Sequence, residues 1–150
     1  MSLKDKINQD IKSAMKEKDS IKLESLRAIK SAIILFETKD SSSSELEKSD
    51  EIKILQRLVK QRKESAQIFE SQKRNDLAET EIIQSEFISK YLPKQMNMKE
   101  IEDIVLKIIE QTNSNGIKDM GKVMGMASKE LLGKADGKTI SEIIRKNLSN

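Results

Sequence analysis

Asp119-Met120-Gly121-Lys122-Val123-Met124-Gly125, followed a few turns later by Gly133-Lys134-Ala135-Asp136-Gly137-Lys138, is the stretch on which the fold turns. All five glycines of the 150-residue chain lie between Gly116 and Gly137. Gly133, Gly137, Lys138 and Thr139 share residue types with a phosphate-binding loop, which would make the chain α/β. The G-x-x-x-x-G-K-[ST] order and the preceding strand are both missing, so that reading fails. Met120, Val123, Met124, Ala127 and Leu131 recur instead at the period of an amphipathic helix, which Gly133 terminates. Asp136 caps the next helix, whose apolar positions are Ile140, Ile143, Ile144 and Leu148. Gly121 and Gly125 fall inside the first of these helices. Each costs ~0.5–1 kcal/mol there relative to Ala, a cost that a close approach of some neighbour would offset.

Working outward, Asn97 and Glu100 form a capping box for a helix with Ile101, Ile104, Val105, Ile108 and Ile109 on one face. Asn113-Ser114-Asn115-Gly116 ends it, with Gly116 expected in the left-handed C′ conformation. Upstream, Leu92-Pro93 closes another helix, because the residue before proline is pushed out of the α region. Ser2 and Asp5 open a first helix carrying Leu3, Ile7, Ile11, Ala14 and Met15. Asp19 caps a second, with Ile21, Ile29, Ala32, Ile33 and Phe36 in its main stripe and Leu26 beside it. Asp40 to Ser44 reads as a solvated loop, and Ser44 or Ser49 as the cap of a long third helix with Ile52, Leu55, Leu58, Val59, Ala66 and Phe69. Asn75 and Asp76 are expected to break it and to cap a fourth, with Leu77, Ile83, Phe87, Ile88 and Tyr91 as its apolar residues. The pattern predicts an all-α, multihelical chain: a four-helix subdomain over residues 1–93 and a three-helix subdomain over 94–150.

Composition agrees and excludes much else. Hydrophobic residues make up 36% of the chain but aromatics only 3%, so the core is built from Ile, Leu, Val and Met. No stretch approaches the length of uncharged apolar sequence that spans a bilayer. The N-terminus lacks the apolar segment of a secretory signal, and the chain is expected to be cytoplasmic. With no cysteine and no histidine, disulfides, thiolate or imidazole metal sites, Ser–His and Cys–His pairs and a histidine base are excluded. A site built from carboxylates, lysines and hydroxyls, such as an oxygen-ligated Mg²⁺, stays open to such a chain, but no catalytic residue, metal or cofactor is expected. The 28 basic residues are nearly matched by 25 acidic ones, so an anionic partner is permitted without being demanded.

Two groups of residues carry a second reading. Gly121 and Gly125 share one helix face: either a neighbouring helix crosses closely there, or a nucleic-acid backbone or partner chain approaches beside Lys122. From the residues alone, packing stands ahead. Lys134 and Lys138 are left near a helix N-terminus, suited to phosphate contacts, with Lys118 before the preceding helix. No aromatic residue is near enough in sequence to stack on a base, so any RNA would be read through shape and backbone. On the third helix Lys53, Arg57 and Lys60 form an outward strip, which reads most simply as a solvated face. Arg62 points into the apolar stripe, where an ion pair with a carboxylate of a neighbouring helix is expected.

Leu26-Arg27-Ala28-Ile29-Lys30-Ser31-Ala32-Ile33, Val59-Lys60-Gln61-Arg62-Lys63-Glu64-Ser65, Tyr91-Leu92-Pro93 and the glycine-bearing pair of segments occur in this order. Together they resemble the GatB/YqeY family: small YqeY-like proteins and the C-terminal tail of the B subunit of tRNA-dependent amidotransferases. In that subunit the similar tail helps grip tRNA while other domains carry out the carbon–nitrogen ligation, with glutamine as amide donor. The resemblance therefore implies a non-catalytic tRNA-binding accessory. Lys122, Lys134 and Lys138 would contact phosphates, Gly121 and Gly125 would permit close approach, and Lys53, Arg57 and Lys60 would extend the surface. Amidotransferase or aminoacyl-tRNA machinery would be its partners, with no DNA and no membrane. A protein-interaction module is the alternative, and an enzyme in its own right a third reading.

Overall fold

Side-chain and backbone caps decide where the helices of this chain begin and end. The computed structural model describes residues 2–39 and 46–149, so the expected loop at Asp40 to Ser44 and the Ser44 cap lie outside the described residues. The helices are α1 (Leu3–Glu17), α2 (Ser20–Lys39), α3 (Lys48–Ser71), α4 (Asn75–Ser89), α5 (Met98–Thr112), a 3₁₀ turn (Ile117–Asp119), α6 (Met120–Glu130) and α7 (Gly137–Leu148). Among the described residues there is no strand, and the fold is all-α. The chain divides into two compact units, Met1–Leu92 and Pro93–Asn150.

In the first unit the Ser2 hydroxyl accepts from the Asp5 N–H at 3.2 Å and the Asp19 carboxylate from the Lys22 N–H at 3.1 Å, opening α1 and α2. α3 starts otherwise than expected. Glu47 is the N-cap residue, with Asp50 accepting from its N–H at 3.3 Å, while Ser49 lies within the helix. The break between α3 and α4 also differs. Lys73 takes the left-handed conformation at φ 60°, and the Lys73 and Arg74 N–H groups close onto Glu70 and Phe69 carbonyls at 3.0 and 2.8 Å. This is a Schellman termination at a non-glycine residue. Asn75 and Asp76 fall in the first turn of α4, where Asp76 pairs with Arg74 at 3.1 Å instead of capping.

The core of this unit centres on Ile7, Leu26, Ile29, Ile33, Leu55 and Ile88. Leu26, expected at the margin, is 1% exposed, whereas Met15 and Phe36 face outward. Ile54 is an additional buried residue of α3. α4 is rotated from its most apolar face: Ala78, Gln84, Ser85 and Ile88 turn inward, and Leu77, Ile82 and Ile83 outward. Ala78 and Ser85 are small and two turns apart, which suits close packing of α4 on α3 and α2.

In the second unit Asn97 and Glu100 make the reciprocal capping box, at 2.9 and 3.3 Å. Ile101, Val105 and Ile108 of α5 meet Val123 and Ala127 of α6 and Ile140 and Ile144 of α7 in one core. α5 ends at Asn113, not Gly116. Asn113 adopts φ 51°, and the N–H groups of Asn113 and Ser114 bond to Glu110 and Ile109 carbonyls at 3.2 and 3.1 Å. Asparagine tolerates the left-handed region, which leaves Gly116, at φ 82° and ψ 173°, to turn the chain into the 3₁₀ segment. After α6 the chain bends at Gly133, φ 79°. There Met96 N–H bonds to the Lys134 carbonyl at 2.9 Å and the Gln95 amide to the Gly133 carbonyl at 2.6 Å.

Candidate functional site

α6 buries Val123 and Ala127, with Met124 packed against the same core, and leaves Gly121, Lys122 and Gly125 exposed. A Cβ placed on Gly121 or Gly125 would meet nothing within 4 Å. This corrects the packing expectation. Positions 121 and 125 lie about half a turn from the core-facing residues, and among the described residues no part of the chain approaches them. The cost of glycine in a helix is therefore not offset by packing within the chain.

Lys122 sits on this bare face. Lys134 is half-buried in the turn between α6 and α7, its carbonyl held by Met96, and Lys138 is exposed in the first turn of α7. The α7 N-terminus is already occupied: the Asp136 carboxylate accepts from the Thr139 N–H at 2.7 Å. A phosphate at Lys138 would therefore have a carboxylate beside it. Lys118, in the 3₁₀ turn, is exposed next to Asp119, whose carboxylate accepts from the Asn115 N–H at 2.8 Å. Lys53, Arg57 and Lys60 are exposed on α3, in the other unit. Among the described residues none of these cations forms an ion pair.

Arg62 has a different partner from the one expected. Its Nε–H donates to the Gln84 side-chain oxygen and its Nη1 to the Leu58 carbonyl, both at 3.3 Å. Gln84, in turn, donates to Glu24 at 3.2 Å. Guanidinium, amide and carboxylate thus form a chain across α3, α4 and α2, and the carboxylate is reached only through an amide. Sequence reading missed Gln84 because glutamine on a helix usually marks the solvent side, and here α4 is rotated. Two open clefts of about 490 and 430 Å³ flank this chain, and Arg62, Glu81 and Gln84 line both. Among the described residues no three acidic side chains are grouped so as to hold a metal ion.

Comparison with known proteins places the chain. A family model described as Yqey-like protein matches residues 4–148. "Altered inheritance of mitochondria protein 41, mitochondrial" from Clavispora lusitaniae is 34% identical over 81% of this chain and 69% of its own length. The protein of the same name from Meyerozyma guilliermondii is 29% identical over 93% of this chain and 72% of its own length. A glutamyl-tRNA(Gln) amidotransferase component from Thermococcus sibiricus is 42% identical over 33% of this chain, which is 8% of that protein. The fungal relatives are mitochondrial by name, and this overturns the cytoplasmic expectation. That expectation weighed export alone and left organelles out of account.

Proposed function

The chain belongs to the YqeY-like family, and from that premise we propose that it is a non-catalytic tRNA-contacting module serving tRNA-dependent amidotransferase or aminoacyl-tRNA machinery. The observation that carries this reading is the open glycine face of α6. Its two glycines leave a helix surface without side chains, Lys122 stands on it, and nothing among the described residues covers it. A bare helix surface lets a phosphodiester backbone come close, and a lysine without an ion pair supplies the charge. Similarity to an amidotransferase component whose name includes glutamyl-tRNA(Gln) supports the choice of nucleic acid. On this reading Lys134 and Lys138 extend the contact and Lys53, Arg57 and Lys60 add a second basic surface, with residues 1–93 and 94–150 acting as separate subdomains. A formal net charge of +3 makes the affinity of the isolated chain modest.

The test is binding to total tRNA at two salt concentrations, with ribosomal RNA fragments and duplex DNA as competitors. Saturable binding that prefers tRNA is expected. Replacing Lys122, Lys134 and Lys138 together by Ala should weaken it and flatten the logarithmic salt slope by roughly two units, three phosphate contacts' worth. Binding that is absent, or equal for every polyanion, sinks the proposal. One observation favours a protein partner instead: Met126, beside Gly125, is 42% exposed. In that case Gly121→Leu abolishes capture of the partner while the lysine replacements do little.

A further inference from the structure

The polar cleft of the first unit is not used by the tRNA reading, and packing alone does not account for its construction. Arg62 projects from the buried stripe of α3, where Leu or Met would fill the space without desolvating a charge. α4 turns Gln84, 8% exposed, toward it and leaves Ile82 and Ile83 outside. A guanidinium has five N–H donors. The Arg62 hydrogen bonds to Gln84 and Leu58 engage Nε and Nη1 and leave Nη2 to donate to a further acceptor.

The charges around that fork come in two signs. Arg27 of α2 and Glu81 of α4 line the smaller cleft together with Arg62 and Glu24. Among the described residues neither Arg27 nor Glu81 forms an ion pair. A phosphate entering this cleft would meet Glu24 and Glu81 as like charges, and a simple ammonium would meet Arg27 and Arg62. A molecule holding a carboxylate and an ammonium close together satisfies both sets, and charge complementarity of this kind is what selects a ligand. The cleft volume of about 430 Å³ leaves room for a side chain as well.

We propose that the cleft between α2, α3 and α4 binds an α-amino-acid zwitterion, its carboxylate on Arg62 and Arg27 and its ammonium on Glu81. Gln84 is the positioning residue, since its bonds to Arg62 and Glu24 hold the guanidinium at the cleft. The site lies apart from the glycine face and does not depend on the tRNA reading.

The test follows the arginine Nε–H and glutamine side-chain amide signals of the full chain by NMR during titration with L-alanine and L-leucine. Acetate, methylammonium and inorganic phosphate serve as the single-charge probes. Saturable shifts at Arg62 and Gln84 are expected with the amino acids and not with the single-charge probes. Glu81→Gln and Arg27→Gln, at a half-buried and an exposed position, should each weaken binding by roughly tenfold, one charge-assisted hydrogen bond's worth, while the spectrum stays folded. No saturable shift up to the solubility limit overturns the proposal, as do equal shifts with acetate or phosphate, or variants that bind like the parent chain.

Discussion

Gly125 lies mid-helix with open space where a Cβ would stand, so Gly125→Ala removes a helix-propensity penalty and adds no clash. It should stabilise the chain by ~0.5–1 kcal/mol in urea denaturation, because the helix gains and the unfolded chain loses freedom. Gly121, in the first turn, should give less. If tRNA binds this face, the more stable Gly125→Ala variant should also bind it more weakly. Tyr91 offers a second test at this scale. Burial, followed by the Asp10 carboxylate that accepts its O–H at 2.5 Å, raises its pKa above the usual phenolic value. In the window above about pH 10 the unfolded chain loses this proton while the native chain keeps it. Tyr91 therefore contributes stability below that pH which is lost as pH rises through the window. Tyr91→Phe should lower stability at neutral pH and flatten the alkaline decline relative to the parent, as read from thermal melts.

At the scale of elements, capping was the most legible feature. Ser2, Asp19, Asn97 and Asp136 all cap where the sequence indicates, because a short polar side chain satisfies the first free N–H groups wherever the rest of the chain goes. Asn97→Ala should cost about 1 kcal/mol of stability, seen in equilibrium unfolding followed at α5. C-termini were harder to read. Left-handed Lys18, Lys73 and Asn113 close their helices, and lysine carries no sequence signal for that conformation. α4 was harder still. Its most apolar residues point outward and Gln84 inward, because two small residues on α4 decide which side can approach its neighbours.

For the whole molecule, the two compact units each bury a separate set of aliphatic side chains. Ile7 is fully buried in the first unit and Val123 in the second. Ile7→Ala should cost about 2–5 kcal/mol through the cavity it leaves. Hydrogen exchange should show the loss in the amides of α1 to α4, with protection in α5 to α7 unchanged. Loss of protection throughout the chain would mean that the two cores unfold as one.

By itself the sequence determined the helical class, the approximate length of each helix, most N-caps and the aliphatic core positions of α5 and α7. These follow from local hydrogen bonding and from a 3.6-residue apolar period that needs no partner to be visible. Tertiary structure alone decided the rest. Whether the glycine face of α6 is packed or open depends on where the other helices lie, and it is open. The partner of Arg62 depends on the rotation of α4, which brings up an amide where a carboxylate was expected. Both are contacts between residues distant in sequence, and helical periodicity gives a residue's direction from its own axis without giving what stands opposite.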